Sequence, residues 1–125
     1  MKVVNSREDK NVLLIDDCED YLRLINLLIK KEGYEVSSVD SAIKGLATIE
    51  NQPTNLVILD LKIPDTSELR IIQSFKSKCR ALNIPIVLLT DNLDLKENFH
   101  DVDEICHKPL NVEILLKKVK YLIES

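Results

Sequence analysis

Five residues able to do chemistry stand where short apolar runs end. Asp16 and Asp17 follow Val12-Leu13-Leu14-Ile15, Asp60 follows Leu56-Val57-Ile58-Leu59, Thr90 follows Ile86-Val87-Leu88-Leu89, and Lys108 lies just past Glu104-Ile105-Cys106. Three carboxylates meeting in one crevice repel one another unless positive charge sits among them. A hard cation held by oxygen atoms and water meets that need, and a site with few protein ligands suits Mg²⁺ better than Ca²⁺. A hydroxyl and an ammonium beside such a cation form a cradle for a tetrahedral dianion, each meeting a phosphoryl oxygen. Pro109, after Lys108, offers a position for a cis peptide that would aim the lysine inward. Taken singly, each residue has a plainer reading: an aspartate capping a strand end, a β-branched strand threonine, an exposed lysine near a turn. Their joint placement at strand ends favours a site for metal and phosphoryl chemistry.

The elements that must bring these residues together are legible as alternating patterns. Strands are predicted at Val12–Ile15, Tyr34–Val39, Leu56–Leu59 and Ile86–Leu89, with a weaker fifth at Glu104–Cys106. The first, third and fourth are nearly continuous apolar runs, as strands covered by helices on both faces require. Tyr34–Val39 alternates more, as befits a strand near an edge. Helices are predicted over 20–32, with Tyr21, Leu24, Ile25, Leu28 and Ile29 on one stripe and Gly33 as a stop, and over 41–50, with Ala42, Ile43, Leu46 and Ala47 together. A third, over 67–82, aligns Leu69, Ile72, Phe75, Cys79 and Leu82. The last begins at the N-cap Asn111 and places Val112, Leu115, Leu116, Val119, Leu122 and Ile123 at helical spacing. Alternating strands and helices predict an α/β domain, a doubly wound five-stranded parallel sheet of order 2-1-3-4-5. In such a sheet ligands bind at the carboxyl ends of strands 1 and 3, where the winding reverses.

The bulk properties narrow the function classes. The 125 residues suit one domain, and at 45% hydrophobic with only 4% aromatic the core must be built from Leu, Ile and Val. A net charge of -4 lacks the basic face of general nucleic-acid binding, and no nucleic-acid partner is expected. Cys18, Cys79 and Cys106 form no CxxC pair, which argues against zinc and for a reducing compartment. Residues 1–10 read as a polar lead-in rather than a signal peptide, with the folded domain over 11–125. No apolar run is long enough to span a bilayer, so a cytoplasmic protein with no membrane partner is expected.

In their order and separations, Val12-Leu13-Leu14-Ile15-Asp16-Asp17, Leu56-Val57-Ile58-Leu59-Asp60-Leu61-Lys62-Ile63-Pro64, Pro85-Ile86-Val87-Leu88-Leu89-Thr90 and Lys108-Pro109 resemble the receiver domain of two-component response regulators, over roughly residues 11–124. The resemblance implies a flavodoxin-like fold and makes Asp60 the phosphoacceptor, taking a phosphoryl group from a histidine kinase, a histidine phosphotransferase or a small phosphodonor. It also implies that Asp17 and Asp60 ligate Mg²⁺ directly, Asp16 helps through a water, and the Lys62 carbonyl completes the protein ligands. Thr90 and Lys108 would bind the phosphoryl oxygens, the lysine and the metal offsetting charge during transfer. Such a domain is a phosphoacceptor rather than an enzyme acting on other molecules.

Departures from the family pattern concern readout more than the pocket. Ser67 is followed by Glu68 where the family usually has glycine. Asp91 follows Thr90 where a small residue is usual; a carboxylate roughly 6 Å from the phosphoryl group would oppose it by about 3 kcal/mol, or else Asp91 points to solvent or caps the next helix. The stretch from Thr90 to Lys108 is about four residues short, close to one helical turn, which predicts a shortened fourth helix within Leu93–Phe99. Asp101-Val102 replaces the usual Gly-Ala, and Ile105 stands in the place of the aromatic switch residue. His107 reads as surface decoration, His100 as a loop residue, and Lys117, Lys118 and Lys120 as the solvated side of the last helix. The expected function is a stand-alone receiver of the chemotaxis-regulator kind that signals by protein contact to a partner the sequence does not name. The alternatives are a phosphorylation-independent interaction module and an aspartate-nucleophile phosphatase, the latter disfavoured by Lys62 standing where a second carboxylate is needed.

Overall fold

The computed structural model describes residues 10–60, 66–90 and 102–124, with no side-chain description for 66–69. The expectations for Lys62, Asp91, His100, Asp101 and a short helix within Leu93–Phe99 therefore lie outside the described residues. Among the described residues the order is β1 (Asn11–Asp16), α1 (Glu19–Lys31), β2 (Glu35–Val39), α2 (Ala42–Asn51), β3 (Leu56–Asp60), α3 (Thr66–Ala81), β4 (Ile86–Thr90), β5 (Glu104–His107) and α4 (Val112–Glu124). The five strands form one parallel sheet in the order β2-β1-β3-β4-β5. This is the doubly wound, flavodoxin-like arrangement expected from the alternation.

Strand periodicity sorts the core into two layers. Leu13, Ile15, Val57, Leu59, Ile86 and Leu88 face α2 and α3, where Ala42, Ile49, Ile72, Phe75 and Cys79 meet them. Their neighbours Val12, Leu14, Leu56, Ile58, Val87 and Leu89 face α1 and α4, against Ile25, Ile29, Leu115 and Val119. Because successive side chains point to opposite faces, an uninterrupted apolar run is what a doubly covered strand needs. The edges fall on β2 and β5, where burial is incomplete.

The helix boundaries follow local chemistry. Gly33, at φ +95°, turns the chain out of α1 into β2. The Ser41 hydroxyl accepts from the Lys44 amide at 3.2 Å and the Asn111 side chain accepts from the Ile114 amide at 3.1 Å, so both act as N-caps.

The buried faces differ from three of the expected stripes. Leu24, Ile43 and Leu82 are exposed, and so is Ala47. On α1 the sheet takes Ile25 and Ile29, and Leu22 joins Tyr21 at the margin of the core. On α2 the buried face runs through Ala42, Gly45 and Ile49. A Cβ at Gly45 would lie 2.4 Å from Ile15 Cδ1 and 3.2 Å from Phe75 Cε1, so the missing side chain lets this helix press onto the sheet and sets which face turns inward. Leu82 stands just past the end of α3, where its spacing no longer points it at the sheet.

Candidate functional site

β1 and β3 pair in register, so their last residues, Asp16 and Asp60, are direct Cα partners at the carboxyl end of the sheet. Apolar neighbours on both faces bury them to 1% and 2% exposure. Asp16 Oδ1 accepts from the Cys18 amide at 2.8 Å, and Asp60 Oδ1 accepts from Lys108 Nζ at 2.7 Å. The other oxygen of each carboxyl, Oδ2, is buried with no donor among the described residues. Ionised carboxylates only accept, so two such oxygens on neighbouring strands call for a proton or a cation.

The titration behaviour follows from that arrangement. Burial pushes Asp16 up to about 7; the Cys18 amide opposes the shift, while the neighbouring Asp60 charge adds to it. Burial also raises Asp60, against the hydrogen bond and charge of Lys108, and the Asp17 charge adds to the rise. For Lys108 burial works against the charged form, but the hydrogen bond from its ammonium to Asp60 and the charges of Asp60 and Asp16 outweigh it and hold the group above the usual lysine range.

Asp17, one residue beyond β1, is exposed on the rim. It borders an open crevice with Asp16, Glu19, Ser38, Asp40 and Lys44. Thr90 ends β4 and is buried, and its carbonyl accepts from the Lys108 amide at 2.8 Å, which fixes where the lysine stem begins. The Lys108–Pro109 peptide is cis, as the sequence suggested. Asp16, Asp60, Thr90 and Lys108 are thus gathered at one end of the sheet, with Asp17 beside them.

An all-oxygen donor set with two orphaned carboxylate oxygens fits a hard divalent cation. Among the described residues no three His, Cys, Asp or Glu side chains are drawn together tightly enough to form a metal cluster by themselves. Asp16 and Asp60 would supply buried oxygens, and Asp17 is the acidic group at the rim.

Two residues of this neighbourhood, Tyr21 and Asp40, escape the sequence reading. Lys108 Nζ sits 4.5 Å from the centroid of the Tyr21 ring, a residue expected only as part of a core stripe. Asp40 follows β2 at the same end of the sheet and pairs with Lys44 at 2.8 Å, and the hydrogen bond and charge of that lysine hold it below the usual carboxylate range. Asp40's position directly after a strand was the available signal; the Tyr21 contact had only its place one turn into α1. His107 is exposed on β5, as expected. Lys118 differs: it is half-buried, donating to the Ile105 carbonyl at 3.0 Å and meeting Glu104 Oε2 at 3.2 Å. The sheet edge lies within reach of its long stem, and an unpaired edge carbonyl draws it in.

Residues 12–120 match the family profile of the response regulator receiver domain. Among curated proteins the chain is 27% identical over 116 residues to the DNA-binding dual master transcriptional regulator RpaA of Synechocystis sp., covering 90% of this chain and 48% of that one. It is 24% identical over 114 residues to sporulation initiation phosphotransferase F of Bacillus subtilis, covering 90% and 92%. The chain thus spans about half the length of the transcriptional regulators it matches. Among solved structures it resembles the response regulator TrrA of Thermotoga maritima in complex with Mg²⁺ and beryllofluoride, at TM-score 0.77 and 28% identity, covering 90% of this chain and 98% of that one. Chemotaxis response regulator CheY4 of Vibrio cholerae has the same fold, at TM-score 0.77 and 21% identity, with the same two coverages. No helix among the described residues is long and apolar enough to cross a membrane. With the fold, the paired strand-end aspartates and the family match in agreement, the chain belongs to the response regulator receiver domains of two-component signalling.

Proposed function

We propose that this receiver domain accepts a phosphoryl group on Asp60 in a Mg²⁺-dependent reaction and passes the signal on by protein contact. The observation that carries the reading is the buried Asp60 carboxylate: Lys108 Nζ lies 2.7 Å from one oxygen, and its other oxygen, like Asp16 Oδ2, has no donor among the described residues. In the transfer an Asp60 oxygen attacks phosphorus, an O–P bond forms, and the bond to the donor's imidazole nitrogen or acyl oxygen breaks, the electron pair leaving with the donor. Lys108 is placed to follow charge from the carboxylate to the phosphoryl oxygens, and Thr90 ends the neighbouring strand at the level where its hydroxyl can serve them. Asp17 and Asp60 would hold Mg²⁺ directly, Asp16 through a water, with the Lys62 carbonyl as a further ligand. When bound, the ion neutralises charge on the transferring group.

The donor class is a phosphohistidine protein, a histidine kinase or histidine phosphotransferase, and the setting is the cytoplasm. The similarity to phosphotransferase F, spanning nearly all of both chains, and to a Mg²⁺–beryllofluoride complex supports both the donor class and the metal. The test is intact-mass analysis after incubation with acetyl phosphate. A gain of one phosphoryl group in the wild type, dependent on Mg²⁺ and absent in Asp60→Asn, is expected. A wild type that binds neither Mg²⁺ nor beryllofluoride would instead make the chain a phosphorylation-independent interaction module.

A further inference from the structure

We infer that Tyr21 is a positioning residue for Lys108, holding its ammonium at the mouth of the phosphoryl pocket; the inference rests on the phosphoacceptor reading and deepens it. Lysine carries its charge on a flexible four-carbon stem, so a lysine that must meet a transferring group needs more than one restraint. Here the backbone fixes the stem's origin through the Lys108 amide and the Thr90 carbonyl, 2.8 Å apart. Asp60 Oδ1, 2.7 Å from Nζ, takes one N–H. The Tyr21 ring, its centroid 4.5 Å from Nζ, supplies a third restraint, through the negative face of an aromatic system.

The ring is itself anchored. Tyr21 lies in the first turns of α1, half-buried, packed against the layer formed by Val12, Leu14, Ile25 and Leu115. Its position therefore follows the sheet and not solvent. An ammonium has three N–H groups. With one on Asp60 and one over the ring, the third is left for an incoming phosphoryl oxygen, and the ring keeps Nζ from following Asp60 away from the pocket mouth once Asp60 is esterified. Tyrosine's hydroxyl has no part in this; the π-face does the holding.

The experiment compares wild type, Tyr21→Phe and Tyr21→Leu, all as full chains, in three measurements. In the metal-free protein, the Lys108 ε-methylene proton resonances are expected upfield in the wild type and Tyr21→Phe and near ordinary lysine values in Tyr21→Leu. With acetyl phosphate and Mg²⁺, Tyr21→Leu is expected to slow phosphoryl acquisition about fivefold while Tyr21→Phe stays within about twofold of wild type. The Mg²⁺ dissociation constant is expected to be the same in all three, because Tyr21 is not itself a proposed metal ligand. A merely structural role would also be rescued by phenylalanine, but it would move metal affinity along with rate and leave the Lys108 resonances at ordinary values in the wild type. Equal rates in Tyr21→Leu and wild type, or no ring-current shift at Lys108, overturn the role of Tyr21 alone. A wild type that takes no phosphoryl group overturns the phosphoacceptor reading, and the role of Tyr21 with it.

Discussion

Two ends of the same sheet handle charge in opposite ways. At the carboxyl ends of β1 and β3, two almost fully buried carboxyls lie together with one lysine paired to Asp60, and an oxygen of each has no donor among the described residues. On β5, the half-buried charge of Lys118 is matched twice, by the Ile105 carbonyl and by Glu104. The first region is held in imbalance and lowers its free energy by taking up a proton or a cation. The second is already balanced and has nothing to gain from either. A response to a proton or cation is therefore expected in the first region, and the second is expected to be indifferent to either.

The largest break in this contrast is removal of the lysine paired with Asp60. Lys108→Ala leaves Asp60 with no positive partner among the described residues, and transfer loses a donor aimed at developing charge. We expect phosphoryl acquisition from acetyl phosphate to fall by about two orders of magnitude, read by intact-mass time courses. Metal affinity should rise in the same variant, because an ammonium no longer competes for Asp60.

The imbalance also predicts a pH dependence of stability. The folded pKa of Asp16, at about 7, lies above its ordinary 3.8. The folded state therefore holds a proton that the unfolded state has released. Stability from this source is fully present below the unfolded value and is lost as pH rises towards the folded one. Urea unfolding without metal is expected to give a stability lower by about 2 kcal/mol at pH 8 than at pH 5. Asp16→Asn should flatten that slope. Mg²⁺ should restore stability at pH 8 and do little at pH 5, where it competes with the proton.

A third measurement concerns how closely α2 is pressed on the strand that carries Asp16. Gly45→Ala drives a Cβ into fully buried Ile15, the residue just before the aspartate, so that neighbour must shift. Alanine favours the helix by up to about 1 kcal/mol over glycine, and overpacking costs roughly 1–3 kcal/mol. The expected net is a destabilisation of about 1 kcal/mol in urea unfolding, with a weaker Mg²⁺ site because the end of β1 is displaced.

How much of this was legible in the sequence divides along the same lines. Strand order and the Asp16–Asp60 pair were legible because a doubly covered strand must be apolar without interruption, and the residues that end such strands fall at one end of the sheet. The buried face of α2 was not, because period alone ranked Ile43 and Ala47 as core while Gly45, with no side chain, decided how the helix lies. The Tyr21–Lys108 contact and the Lys118–Ile105 bond depend on where long side chains reach across elements distant in sequence, and spacing along one helix carries no such information. Lys118 was accordingly placed on the solvated side of its helix, although its ammonium satisfies an edge carbonyl.

The smallest expected effect tests whether the two regions are independent. Lys118→Met keeps the apolar stem and removes the ammonium, leaving the Ile105 carbonyl without that donor and Glu104 without its cation. The carbonyl faces the open edge of β5 and water can replace the lysine, so the loss should be at most about 1 kcal/mol. Amide hydrogen exchange should quicken in β5 while the central strands β1 and β3 keep their protection, because the β1–β3 ladder does not depend on the edge. If the two regions are independent, the rate of phosphoryl acquisition by Asp60 stays within about twofold of wild type, a difference of less than 0.5 kcal/mol in barrier. If instead the rate rises severalfold, the Lys118 bond holds β5 in the conformation of the unmodified state. The side chain at Ile105 would then not be the element that couples acceptance to readout; that coupling would run through its carbonyl.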